Sequence, residues 1–542
     1  MAQNHSSTEV AGASAPHSVW FIAYLIITAI VSGALVMVIE VLGSRVIGPF
    51  FGVSLFVWTS LIAVTLIALA AGYAVGGHLA DRRGTADWMY GIILIAGLVV
   101  LLVPLLKGPV LKATMPLGLR AGAFVSTLLL FGPSLFLLGC VSPYLVRIAA
   151  REMKSLGRTV GGFYALSTAG SVLGTVLTGF VLIAFLSVDR ILQLTGVLLV
   201  ALAAGYALLF RRSLRGIAGL VLAALLVGLS TLDRAPVTKL LPSGTRVTLV
   251  AGQDTFYGSL KIADYTYAER HTREMMIDGL IQGGMDMRSG LSIYPYAYLL
   301  HLVPIHLNPR GQTALVIGLG AGLIPRLYAA QGIRTDVVEI DPQVVNYARR
   351  YFAFRDTGEL FVADARQFLA STSERYDYLV LDVFTGDVTP GHLLTHEAVR
   401  QMHARLNPGG VLAANVAGSL KRDTFMTASV IRTLASVFEQ VEILPTFDPG
   451  QREAWGNIKI FAYDGPRRAL PVSPAANYVI HPRARREVEA SLTYRFAFPP
   501  STPAIVLTDA YNPIDFHDVW LKEAVRHVVV NSTDWDVLIR TP

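Results

Sequence analysis

The chain has 542 residues, of which 53% are hydrophobic and 15% charged, with a mean hydropathy of +0.52. A soluble globular chain carries about 25% charged residues, so this composition excludes an ordinary cytosolic enzyme and a disordered chain alike. The formal net charge is +7, and the single cysteine, Cys140, excludes an intramolecular disulfide framework and any multi-cysteine metal site.

The charge is unevenly placed. Residues 1–232 hold 14 Lys and Arg against 6 Asp and Glu, whereas residues 233–542 hold 31 against 32. The excess base lies in the short loops of the more apolar half, where it reads as membrane topology and not as a nucleic-acid footprint. Residues 1–17 are expected to be a disordered N-terminus. They contain no Lys or Arg and so lack the basic start of a signal peptide, which makes the first apolar run a retained helix.

Residues 18–232 are expected to form a multi-pass transmembrane domain with about seven spans, near 20–42, 55–79, 88–106, 122–146, 160–186, 190–210 and 214–232. Each offers about 19 or more mostly apolar residues, enough to cross roughly 30 Å of hydrocarbon. Gly72 and Gly76, and Gly170 and Gly174, have the four-residue spacing that lets helix backbones approach closely. Glu40 lies five residues before Arg45; an acid there is costly unless paired or hydrated, and pairing with a basic residue is the expectation. The basic residues divide nine to seven between the two faces, which leaves the orientation open on loop charge alone.

Apolar density falls at Leu232, and DRAPVTKLLPSG (233–244) reads as a linker. Residues 245–290 contain short β-rich runs, RVTLVAG, YGSLKIAD and EMMIDGLIQGG, expected to form a small hairpin subdomain. Strands and helices then alternate over 291–466, with strands at 313–318, 335–341, 359–364, 376–382 and 410–416. That pattern predicts a parallel, doubly wound α/β domain of Rossmann-like, class I methyltransferase type. Residues 467–542 form a C-terminal extension with no chemistry of its own beyond packing of TDAYNP (508–513) over the site.

The first of these strands runs into Gly318-Leu319-Gly320-Ala321-Gly322, and Glu339 ends the next, 19 residues beyond Gly320. Glycines permit a tight turn and a close approach to a ligand, and a carboxylate at that strand end can accept both ribose hydroxyls. A nucleotide-like ligand follows. The third glycine of a dinucleotide fingerprint is absent. Asp341, Asp364 and Asp382 mark further strand ends, with Asp387 in the loop after Asp382; each alone can cap a helix, but four acids on one edge suggest a site. Asp364 is placed to meet a base amino group, and Asp382 and Asp387 to meet a cationic acceptor or take up its proton. His392 and His396 lie in the same loop and suit hydrogen bonding better than metal ligation, so no metal is expected.

The run IDGLIQGG (277–284), the glycine turn, VEID (338–341), VADAR (362–366) and LDVFTGDVTPGHLLTHEA (381–398) resembles the spermidine synthase family of polyamine aminopropyltransferases. With SGALVMVIEVLGSR (32–45) and TDAYNP, it is similar to the branch in which that domain follows a multi-helix membrane region. The resemblance implies transfer of an aminopropyl group from decarboxylated S-adenosylmethionine to a diamine such as putrescine, with release of methylthioadenosine. The donor is then a co-substrate, and no prosthetic group is implied. Gly318, Gly320, Gly322, Glu339, Asp364 and Ala365 would bind it. Asp382 would be the catalytic acid, with Tyr294 beside it, and Gln282, Asp387 and Pro390 would serve the acceptor. A homodimer is implied by the same analogy. Three positions depart from the family: Ala321 replaces an Asp of the glycine turn, Gly258 a Gln near Tyr257, and Pro295-Tyr296 a His-Glu pair.

Two other functions are compatible with the sequence: an S-adenosylmethionine-dependent methyltransferase, for which the loss of the Asp at Ala321 argues, and a polyamine or nucleoside transporter or sensor with a non-catalytic domain. Adenosyl donors are kept inside cells, so the C-terminal half of a protein in the inner (cell) membrane is expected to face the cytoplasm.

Overall fold

The structure, a computed structural model, describes residues 19–52, 55–152, 156–232, 237–384 and 389–540. The expected disordered N-terminus, residues 233–236 of the expected linker, and Asp387 lie outside the described residues.

The apolar half folds into helices Val19–Phe51, Leu55–Arg83, Ala86–Thr114, Gly118–Leu130, Gly132–Glu152, Leu156–Leu177, Val188–Leu209 and Arg215–Leu232. Among the described residues six helical stretches are long and apolar enough to cross a membrane, and the apolar helix Arg215–Thr231 is shorter. The stretch expected as one span over 122–146 is two helices that break at Phe131. Pro133 has no N–H to return to Leu129, so the ladder is interrupted and the proline opens the next helix. The glycine spacing acts as expected. A Cβ at Gly170 would lie 2.1 Å from the Ile30 carbonyl oxygen, and one at Gly174 would lie 2.4 Å from that of Ala34. Gly72 and Gly76 meet the backbone of Phe136, Gly139 and Cys140 just as closely. Only hydrogen fits between these backbones. Arg45 does not pair with Glu40; its guanidinium donates to the carbonyl of Phe256 in the other half of the molecule.

Strands β1 (Thr238–Leu240), β2 (Arg246–Thr255), β3 (Gly258–Tyr267), β4 (Arg270–Ile277) and β5 (Leu280–Asp286) form an antiparallel sheet in sequence order. The β4–β5 turn is Asp278-Gly279, both at positive φ (49° and 79°), the backbone of a two-residue hairpin whose twist matches its strands.

The second sheet contains β6 (Thr313–Ile317), β7 (Arg334–Glu339), β8 (Leu360–Val362), β9 (Tyr376–Leu381), β10 (Leu406–Ser419), β11 (Gln440–Pro445) and β12 (Trp455–Tyr463). The spatial order is β11-β12-β10-β9-β6-β7-β8. β6 to β10 are parallel, and β12 and β11 add an antiparallel edge that the strand pattern did not disclose. The chain leaves β6 toward β7 on one side and returns as β9 on the other, so a topological switch lies between β6 and β9. Register places Ile317 beside both Val338 and Leu381, and Leu381 beside Ala414. Gly318, Glu339, Asp382 and Asn415 therefore all follow from one sheet edge, where ligands of such sheets bind.

The C-terminal extension returns to the junction of the two halves. Arg526, fully buried on the helix Val519–Ser532, donates to the carbonyls of Pro49 (3.0 Å) and Asp278 (2.6 Å). Glu523 of the same helix pairs with Arg120 at 2.8 Å, and the Val188 amide donates to Asp254 at 3.0 Å.

Candidate active site

The glycine turn is dictated by what surrounds it. Gly318 has φ 92°, and a Cβ there would lie 2.1 Å from the Asp382 carbonyl oxygen; at Gly320 (φ 51°) it would lie 2.7 Å from that of Gln282. No other residue allows the β6 end to lie between β9 and the β5 hairpin. Gly322, expected with them as a ligand contact, faces the Phe354 ring and opens the helix Leu323–Ala330; it does not line the cavity.

Beyond this turn lies a cavity of about 290 Å³, lined among others by Gly318, Gly320, Glu339, Asp364, Ala365, Asp382, Gln282 and Pro390. Glu339 is almost wholly buried. Its Oε2 accepts the Leu319 amide and its Oε1 the Asp341 amide, both at 2.9 Å. Burial pushes its carboxyl above the usual range, and the backbone donors oppose that push. Asp341 caps the helix Pro342–Phe352 through one oxygen (Gln343 amide, 2.8 Å). Its other oxygen is buried with no partner among the described residues, although Asp341 lines the cavity. Asp364 caps Ala365–Ser371 (Gln367 amide, 3.1 Å) and has its other oxygen 3.7 Å from Nε2 of His392. Tyr257, in the β2–β3 turn, has its hydroxyl pushed up by burial and by the nearby Asp341, Glu339 and Asp364, so it remains a donor. These groups suit a donor-rich, cationic ligand.

Asp382 leaves the end of β9 and lines this cavity and an adjoining one of about 270 Å³; Gln282, Gly320 and Phe384 are also shared. Its Oδ1 accepts Asn415 Nδ2 at 2.7 Å, and Asn415 Oδ1 accepts Lys459 Nζ at 2.6 Å. Burial pushes the Asp382 carboxyl up and the Lys459 ammonium down to about 7, while their mutual attraction tempers both shifts. Neither Asn415 nor Lys459 was picked out from the sequence. The available signals were an amide inside the apolar run GVLAANV and a lysine between two isoleucines in GNIKIFAY.

The second cavity is walled mainly by Leu280, Ile281, Tyr296 and Trp455, together with Val525, Val528 and Val529 of the helix Val519–Ser532. Tyr294, expected beside Asp382, lines neither cavity. It precedes the helix Pro295–Leu307, and its hydroxyl turns to Glu274 on β4 at 2.6 Å. Two residues on, inside the first helical turn, Tyr296 takes the place near Asp382 and donates to the Gln282 carbonyl at 3.1 Å. Of the other departures, Ala321 is buried and packs against Gly283, where an added Cβ would lie 2.8 Å from the Ala321 Cβ. Gly258 has φ 151°, and a Cβ there would lie 2.6 Å from Ile277, so the glutamine does not fit. TDAYNP packs against the loop that carries Pro390 and His392, and its residues do not line the cavity: Asp509 pairs with Arg366 at 2.8 Å, and Asn512 donates to the Gly391 carbonyl at 2.8 Å.

Residues 294–463 match the spermine/spermidine synthase domain. Among similar curated proteins, an N-terminal histidine N-methyltransferase of Emericella nidulans is 36% identical over 211 residues, covering 35% of this chain and 37% of the relative. A polyamine aminopropyltransferase of Vibrio vulnificus is 35% identical over 135 residues, covering 24% and 45%. The match to these relatives thus spans less than half of their length. A probable spermidine synthase structure from Corynebacterium glutamicum aligns at 22% identity and a TM-score of 0.35, over 41% of this chain and 81% of that one.

Proposed function

We propose that the protein is a membrane-anchored aminopropyltransferase that uses decarboxylated S-adenosylmethionine as donor and an amine as acceptor. The observation that carries this reading is Asp382 standing where a nucleoside-sized, carboxylate-lined cavity meets a second cavity. Glu339 and Asp341 would accept the ribose hydroxyls, and Asp364 the adenine amino group. The sulfonium would lie toward Asp382, and the amine would enter from the second cavity. The amine lone pair attacks the aminopropyl carbon bonded to sulfur. The carbon–sulfur bond breaks, its electron pair returns to sulfur, and neutral methylthioadenosine leaves. The new nitrogen–carbon bond leaves a surplus proton on nitrogen, which Asp382 accepts and passes to water. Most of the acceleration would come from alignment, with general-base help contributing about 10²- to 10⁴-fold.

The test is purified protein in detergent with decarboxylated S-adenosylmethionine and an amine panel. Methylthioadenosine is expected from the wild type, with kcat reduced about 10²- to 10⁴-fold in Asp382→Asn. Absence of methylthioadenosine with every amine overturns the reading. Methyl transfer from S-adenosylmethionine is a second reading, favoured by the similarity to an N-methyltransferase and by the missing carboxylate at Ala321. It requires S-adenosylhomocysteine as product when S-adenosylmethionine replaces the decarboxylated donor in this assay. Adenosyl donors are intracellular, so the catalytic half is proposed to face the cytoplasm of a bacterial-type inner membrane; a reporter fused after Pro542 that is active only outside the cytoplasm would reverse this.

A further inference from the structure

We infer that Asp509 of the C-terminal segment TDAYNP is a positioning residue for the donor, setting the spacing of the adenosine end of the first cavity through Arg366. The inference rests on the adenosyl-donor reading above. Two parts of that cavity wall come from separate stretches of chain. Asp364 and Ala365 open the helix Ala365–Ser371, and Pro390, His392 and Leu393 belong to the loop before the helix His396–Ala404. Arg366 joins the two. Its Nη1 donates to the His392 carbonyl at 2.7 Å and to the Thr395 hydroxyl at 3.0 Å. Asp509 supplies the counter-charge: its Oδ2 accepts Nη2 at 2.8 Å and its Oδ1 accepts Nη1 at 3.1 Å. Such two-point pairing fixes the plane of the guanidinium as well as its distance. Oδ1 also accepts the Thr395 hydroxyl at 2.7 Å. Arg366 and Thr395 hold the Asp509 carboxyl below the usual carboxylate range, so it is ionised near neutral pH.

The segment is itself held in place. The Asp509 amide donates to Glu397 at 2.9 Å, and the Leu507 carbonyl accepts the His396 amide at 2.7 Å. With Asn512 on the Gly391 carbonyl, two consecutive loop carbonyls are bound by side chains that the segment supplies or orients. The helix and the loop meet where Asp364 comes within 3.7 Å of His392 Nε2. An adenine amino group at Asp364 would lie against both walls. Without Asp509 the guanidinium keeps only uncharged acceptors among these partners, and the loop gains freedom that ligand binding must then remove. Among the described residues, those lining the second cavity include none of this network. The effect therefore falls on the donor and not on the acceptor. By linkage, a segment that favours bound adenosine is favoured by it to the same extent.

The experiment uses the full chain in detergent and follows methylthioadenosine binding by calorimetry, because the adenosine part is common to every adenosyl donor. Asp509→Ala is expected to weaken binding about tenfold and to raise the donor KM by a similar factor, while kcat and the acceptor KM stay within about twofold. Asp509→Glu keeps the charge and is expected to recover part of the loss. Adding Asp509→Ala to Arg366→Ala is expected to cost no more than Arg366→Ala alone, since the two side chains act as a unit. In the wild type, saturating methylthioadenosine is expected to slow amide hydrogen exchange across residues 505–513, a readout that needs no variant. Unchanged affinity in Asp509→Ala, with the wild type still binding, overturns the inference and leaves the donor reading standing. A loss confined to kcat, additive losses in the double variant, or unchanged exchange across 505–513 overturns it equally. Binding of S-adenosylmethionine in preference to its decarboxylated form keeps the inference. A wild type that binds no adenosyl compound overturns the donor reading and this inference with it.

Discussion

Lys459 is a fully buried lysine two hydrogen bonds away from the proposed catalytic carboxylate. Its charge favours the ionised form of Asp382 against the burial that disfavours it. Replacing it by methionine removes the cation and leaves the burial, so the Asp382 carboxyl rises further. The acidic limb of the kcat/KM profile is therefore expected to move to higher pH in Lys459→Met. A purely structural lysine would lower stability without moving that limb. Glu339 gives a second prediction. Both its oxygens already accept backbone amides, and an amide side chain has only one acceptor to offer. Glu339→Gln aims an N–H at another N–H, and binding of methylthioadenosine, followed calorimetrically, is expected to weaken about 10- to 100-fold. An unchanged affinity removes Glu339 from the ribose.

Elements were legible where one local rule determines them. The apolar runs, the glycine turn and Glu339 at the end of β7 all follow from spacing, and the structure places them together. The break at Phe131 was available in Gly132-Pro133 but was obscured by the continuous hydrophobicity on both sides. β11 and β12 were not read, because the parallel pattern before them set no expectation of an antiparallel return; Lys459 was missed with them. Tyr294 and Tyr296 are separated by a single helix start, and only the direction in which the chain leaves β5 decides which hydroxyl reaches the site. At this scale the sharpest test is in the bundle. A leucine at Gly174 cannot fit beside the Ala34 carbonyl, so Gly174→Leu is expected to separate the helices Val19–Phe51 and Leu156–Leu177. The thermal transition in detergent should fall by an amount corresponding to about 1–3 kcal/mol or more. A retained transition would show that the two backbones are not in close contact.

At the scale of the whole molecule, the two halves meet through backbone carbonyls bound by arginines more than through paired charges. Arg526 joins the end of the first apolar helix, the Asp278-Gly279 turn that leads to Gln282, and the helix that walls the second cavity. Arg45 reaches the carbonyl of Phe256, next to Tyr257 at the mouth of the first cavity. Cutting the chain before residue 237 would thus do more than release a catalytic fragment from its anchor. Arg526 would lose the Pro49 carbonyl, and the valine-bearing helix would lose its support on that side. The excised fragment should need surfactant to stay dispersed and should give up its C-terminal segment early to a protease. What looks like a tether is then part of the enclosure in which the reaction would take place.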